Sequence, residues 1–266
     1  MKPKSAFFLL FAGSLLLPLA GHAHEPGGES QTPSLTADTA AASVCADDCN
    51  VPALDLTEPL PELAASYVTS RAVEADSHSH DHPPAGEAEW RFFRENDRVD
   101  LENLGALTGE RWQRDGRTQF FFKVFHEDRR SIEYRMDDLK MIDAALSWQQ
   151  HTLLIDPQVL QGLALQEAGW RDGYPYRRYS GMAGGEKLDV LWRVDLKLPV
   201  VLERERAGYR ERTVLKAVHP LADSPWPRPD QSGYEVIDFA DIGDRERDPF
   251  VMRIQAQLPG VSAHRH

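Results

Sequence analysis

The sequence predicts a mainly β protein of the α+β type: a curved antiparallel sheet or half-open β-barrel with a central helical insert and a short C-terminal helix. Three observations lead there. Beyond residue 90, apolar and polar residues alternate in short runs, glycine-bearing pairs divide those runs at hairpin spacing, and the helix-start signatures of that region fall in its middle and near its end.

At the N-terminus, Met1-Lys2-Pro3-Lys4 forms a charged start, Ala6 to Leu19 an apolar run, and Gly21-His22-Ala23 supplies the small residues of a signal-peptidase site, with cleavage expected after Ala23. The run is shorter than the roughly 20 residues a membrane-spanning helix needs, and Pro18 closes it. Residues 1–23 therefore read as a signal peptide, and the remainder as a soluble chain that does not span a membrane. No cysteine stands at the cut to receive a lipid. Residues 24–88 are rich in Ala, Ser, Thr, Pro, Asp and Glu and poor in aromatics, so they bury too little apolar surface to offset their ordering entropy. They are read as an acidic, largely disordered leader with a His-rich stretch. Within it, Leu60, Leu63, Ala64, Tyr67 and Val68 recur near helical spacing, which predicts a short helix over Leu60 to Val73 docked on the body.

At Trp90 the composition changes, and residues 89–258 are read as a single globular β-rich domain followed by a flexible tail, 259–266. Phe120 to Phe125 is apolar on both faces apart from Lys123, as a central strand is. Ile132, Tyr134 and Met136 alternate with polar neighbours, as do Leu188, Val190, Trp192 and Val194. Asp115-Gly116, Asp172-Gly173, Gly184-Gly185 and Ala207-Gly208 are tight-turn chemistry between runs. Asp137 or Asp138 caps a helix carrying Leu139, Ile142 and Leu146, and Asp156-Pro157 opens another. Four further strands follow between Gly169 and Val218. A Pro-rich crossing runs from His219 to Pro229, and a last strand precedes the helix opened by Asp248-Pro249.

The formal charge is −12, and loss of Lys2 and Lys4 with the signal leaves −14. Twelve acidic residues against Arg71 alone place −11 of that between His24 and Glu87, leaving −3 for residues 88–266. The body is thus nearly neutral, and without a basic stripe it carries no sign of nucleic-acid binding.

The stretch Asp172-Gly173-Tyr174-Pro175-Tyr176-Arg177-Arg178-Tyr179, then Gly185 to Trp192, then Asp195-Leu196-Lys197-Leu198-Pro199-Val200-Val201-Leu202-Glu203 resembles the periplasmic lipoprotein carriers and the wider outer-membrane lipoprotein-sorting family. It shares a strand entered from a glycine turn, a strand ending in tryptophan, and a leucine-proline bend into a strand of alternating charge. The resemblance covers residues 90–218; the long leader and the tail from Tyr234 depart from it. It implies a half-barrel whose concave face receives acyl chains. On such a face Phe92, Phe120, Phe122, Tyr134, Trp192 and Leu202 are the candidate ligand-binding residues; plain core packing is the competing reading for each.

His78-Ser79-His80-Asp81-His82 offers alternate imidazoles and a carboxylate to zinc, copper or nickel, and His24 adds an amine and an imidazole once Ala23 is cleaved off. The alternative is a solvated linker. His264 and His266 form a looser pair. Cys45 and Cys49 are expected to pair as a disulfide in an oxidising compartment, with metal binding as the alternative. The acidic run Asp238 to Asp248 reads first as a turn that caps the last helix and second as a calcium loop. His126, His151 and His219 lie far apart, with no glycine-framed serine, zinc-helix motif or phosphate loop, and Glu127 beside His126 is expected on the opposite strand face. No catalytic residues and no obligate cofactor are assigned.

The expected function is a non-catalytic periplasmic or secreted protein that binds a lipid, a lipidated envelope protein or another apolar ligand on a concave sheet face. A metal-handling protein using the His-rich leader, and an envelope scaffold or accessory subunit presenting its Pro-rich crossing and tail, are the alternatives.

Overall fold

The computed structural model describes residues 50–73, 86–142, 144–206, 208–254 and 258. The signal segment, His24, Cys45, Cys49, His78, His80, His82, His264 and His266 lie outside the described residues, so the metal and disulfide expectations fall there too.

Twelve strands form one curved, unclosed sheet. Strands β1 (Leu63–Val73), β2 (Gly86–Arg94), β3 (Arg98–Asn103), β4 (Thr108–Asp115), β5 (Thr118–Phe125) and β6 (Arg130–Arg135) make a first meander. Helices α1 (Met136–Met141), α2 (Trp148–Leu153) and α3 (Pro157–Gly162) follow as the expected insert. A second meander comprises β7 (Ala164–Arg171), β8 (Tyr174–Ala183), β9 (Glu186–Arg193), β10 (Leu198–Arg206) and β11 (Tyr209–Pro220), and β12 (Glu235–Asp238) and helix α4 (Pro249–Ile254) end the described fold. The sheet order is β12-β6-β5-β4-β3-β2-β1-β11-β10-β9-β8-β7, antiparallel throughout except where β12 lies parallel to β6. The predicted fold class, with its central insert and terminal helix, is the one observed.

Local chemistry sets the turns and caps. Asp172 and Gly173 both have positive φ (49° and 79°), as do Gly184 and Gly185 (59° and 85°), the geometry of two-residue hairpin turns of the primed type. The Asp156 carboxylate accepts from the Gln158 N–H at 2.8 Å with Pro157 at the first helical position, and a Ser147/Gln150 capping box starts α2.

One expected element changes type. Leu63–Val73 is a strand, not a helix, and it is the seam of the molecule: β1 pairs with β2 on one side and β11 on the other, so it joins the two meanders. Its residues from Leu63 to Thr69 are buried on both faces apart from the half-buried Ser66. Burial on both faces removes the period of two, and the remaining apolar run imitates helical spacing. The preceding segment also belongs to the body, since Val51 and Leu56 pack with Leu153, Leu160 and Trp192.

Register fixes which residues share a face. The row Tyr179, Val190, Leu202, Thr213, Thr69 crosses β8, β9, β10, β11 and β1. Phe92 and Leu101, then Val99, Trp112, Phe121 and Tyr134, continue on that face through the first meander. This is the inner face, on which α1–α4 and the segment before β1 pack.

Candidate functional site

Four of the six candidate ligand-binding residues, Phe92, Tyr134, Trp192 and Leu202, stand on the inner face. The first three are completely buried. Phe120 and Phe122 point to the outer face, because they alternate with Phe121, whose ring stacks on Trp112 at 4.4 Å on the inner side. The six therefore do not line one wall. The run Phe120 to Phe125 is apolar on both faces because both faces of β5 are covered.

The inner wall carries two apolar clusters, one across β1–β6 and β12, the other across β8–β10. Their roof consists of short pieces: helices α1, α2 and α4 over the first, α3 and the segment preceding β1 over the second. Arg94, 1 % exposed, stitches these pieces together. Its guanidinium donates to the carbonyls of Pro61 (2.9 Å), Thr152 (2.9 Å), Leu196 (2.6 Å) and Lys197 (3.3 Å), tying the pre-β1 segment, the end of α2 and the β9–β10 turn to β2. With carbonyls in place of a carboxylate, burial lowers its pKa to about 10. The Tyr67 hydroxyl donates to the Pro199 carbonyl at 3.0 Å, at the leucine-proline bend.

Polar groups also stand on this wall. Lys123 pairs with Glu110 at 3.0 Å, so the one charge in the β5 run faces inward with a partner. His151, fully buried in α2, stacks on Trp112 with ring centroids 3.5 Å apart, and neither ring nitrogen makes a well-aligned hydrogen bond. Burial lowers its pKa to about 3; the nearby Leu146 backbone opposes that only weakly.

The outer face holds what the sequence concealed. The crossing from β11 to β12 runs as a strap over it: Arg91 lies 5.5 Å from the Trp226 ring centroid, and Arg228 stacks on Phe93 and pairs with Glu95 (3.0 Å) and Asp100 (2.9 Å). At the far end His126 bridges Glu102 (2.5 Å) and the Tyr234 hydroxyl (3.1 Å). Asp100 is completely buried and Glu102 is 4 % exposed, and burial pushes both carboxyls upward from their ordinary range. Asp100 also receives Arg98 at 2.8 Å. Gly109 stands opposite Glu102, and a Cβ there would lie 2.7 Å from its Oε2. In sequence, Asp100 and Glu102 alternate with Val99 and Leu101 as a solvated strand face does; in the fold Arg228 of the strap and Arg98 meet Asp100, and His126 meets Glu102. His126 and Glu127 lie in the β5–β6 turn, not on a strand, and the partner of His126 is Glu102.

The acidic run near the C-terminus holds the last elements in place. The Asp248 carboxylate accepts from the Phe250 N–H at 2.8 Å and pairs with Arg130, while Asp238 accepts from the Ala240 N–H. That matches the capping-turn reading. Among the described residues, no three His, Cys, Asp or Glu side chains are grouped to hold a metal ion, and no helix is long and apolar enough to cross a membrane.

The fold defines a class of open, curved β-sheet proteins with a helical roof on one face. No protein-family model matches the chain, and no curated protein matches it in sequence. Similar solved structures include PNGF-II (11% identity, TM-score 0.35, 66% of this chain and 31% of that one). MucB in complex with MucA(peri) is similar at 14% identity and TM-score 0.37, over 66% of this chain and 56% of that one. An uncharacterized conserved protein from Thermus thermophilus is similar at 8% identity and TM-score 0.32, over 65% and 90%. The chain spans less than two thirds of the first two, and at these TM-scores the likenesses carry no argument about function.

Proposed function

We propose that this chain is a non-catalytic binding protein of the cell envelope, exported to the periplasm, that receives an apolar ligand or the lipid of a lipidated partner against the inner wall. One observation supports the reading: a single wall, lined by two apolar clusters between Ile237 on β12 and Tyr179 on β8, is roofed by four six-residue helices and an irregular segment instead of a second sheet. Helices this short have no stability of their own and stay in place only by packing. An acyl chain that slides between roof and wall meets the apolar side chains of both, so that Leu139, Leu153, Leu160 and Val251 of the roof stay out of water. Phe92, Tyr134, Trp192 and Leu202 then act as the wall behind the roof.

The test is native mass spectrometry and lipid extraction of the protein purified from its own envelope, followed by titration with a fluorescent fatty-acid analogue. Co-purified lipid, and binding weakened by Trp192→Ala in a variant that still folds, are the expected results. A protein that carries no lipid and leaves the analogue free would end the proposal.

A further inference from the structure

The outer face under the strap combines buried charge with unmet hydrogen-bonding capacity, and none of it belongs to the inner wall. Glu102 gives one oxygen to His126, while its Oε1 is buried without a partner. Arg111, on the neighbouring β4, stacks on Phe122 with its guanidinium carbon 4.1 Å from the ring centroid. It makes no ion pair among the described residues, and its Nε is buried and unpartnered. So are Nη2 of Arg228 and both amide atoms of Gln231 in the strap. The Nε of Arg228 lies 2.9 Å from Asp100 Oδ2 without the alignment of a hydrogen bond.

Buried polar atoms are almost always paired, so several orphans on one face indicate a missing occupant. The charges indicate its nature. With Glu95 on the half-exposed rim beside Arg228, Arg98, Arg111 and Arg228 stand among Asp100, Glu102 and Glu133, a balanced inner set that attracts neither a lone anion nor a lone cation strongly. Free donors remain on the guanidinium side and a free acceptor on the carboxylate side. The enclosure limits size, since the strap is pinned at Trp226, Arg228 and Tyr234.

We propose that the strap and the outer face of β3 and β4 enclose a binding site for a small zwitterion of the α-amino acid class. Its carboxylate sits on Arg111 and Arg228, and its ammonium on Glu102 Oε1. The strap is then the gate, since entry requires only the strap to lift and leaves the ladder between β3 and β4 intact.

The test uses the full mature chain and four probes: glycine, L-alanine, acetate and methylammonium. Calorimetric titration and melting temperature are read for each. Glycine or L-alanine is expected to bind and to raise the melting temperature with concentration, while acetate and methylammonium alone do not. Arg111→Met and Glu102→Gln should each weaken binding about tenfold or more, since each removes a charge-assisted contact. Tyr67→Phe, which loses a hydrogen bond on the other side of the sheet, should bind as the wild type does. Binding of acetate or methylammonium as tight as that of glycine would overturn the assignment. So would the absence of any binding by the wild type together with a crystal structure, soaked in glycine, that shows only water between strap and sheet. Should a variant fail to fold, the wild-type probe comparison and that crystal structure still decide.

Discussion

Acidification should weaken the fold through His151. The imidazole lies between Trp112 and the body of α2, fully buried, and its folded pKa falls to about 3, whereas in the unfolded chain it titrates near 6.5. The folded form thus excludes a proton that the unfolded form binds. Stability from this residue is complete above the unfolded value and is lost as pH falls toward the folded one, with a slope of about 1.4 kcal/mol per pH unit. Between about pH 7.5 and about pH 5 the loss is about 2 kcal/mol, a large share of the roughly 5–15 kcal/mol that holds a domain folded. Asp100 and Glu102 act in the opposite sense, because carboxyls raised by burial are relieved as pH falls. The informative quantity is therefore the difference from His151→Phe, which keeps a planar ring on Trp112 and cannot titrate. Urea titrations of both proteins at the two pH values measure it. The wild type should lose about 2 kcal/mol more than the variant on acidification; parallel losses would refute the claim that this ring is held neutral by burial.

Arg94→Met should cost about 3 kcal/mol or more in a denaturant titration, because it removes hydrogen bonds to four carbonyls and orphans those that water cannot reach. Released roof segments should also gain amide exchange near Pro61 and Thr152. Tyr67→Phe deletes a single buried hydrogen bond to Pro199 and should cost about 1 kcal/mol in the same titration, with the slope unchanged. Gly109→Ala places a Cβ against a pinned carboxylate and should destabilise by about 1–3 kcal/mol, whereas in a Glu102→Ala background most of that cost should vanish. A double-mutant cycle on melting curves reads the coupling; additive losses would mean that the carboxylate moves aside freely.

Much of the architecture was legible in the residues themselves. Alternation at Ile132 and Tyr134 and at Leu188 to Trp192, the Asp172-Gly173 and Gly184-Gly185 turns, and the Asp156-Pro157 start act within a few residues, and each stands where local chemistry put it. The covering of the sheet was not local. Leu63–Val73 reads as a helix until both of its faces are known to be buried, and Phe120 and Phe122 read as wall residues until register puts them on the outer side.

What the sequence determined by itself is therefore the class of elements, their order and their turns, since these follow from backbone preferences and short-range periodicity. What only the tertiary structure decided is which surfaces meet. Asp100 looks like an ordinary solvated charge until Arg228, from a strap more than a hundred residues away, lies over it, Glu102 until His126 meets it, and His151 looks like any helical histidine until Trp112 closes on it. Burial changes the free energy of a charge by more than any local preference does, and burial is a property of the assembled chain.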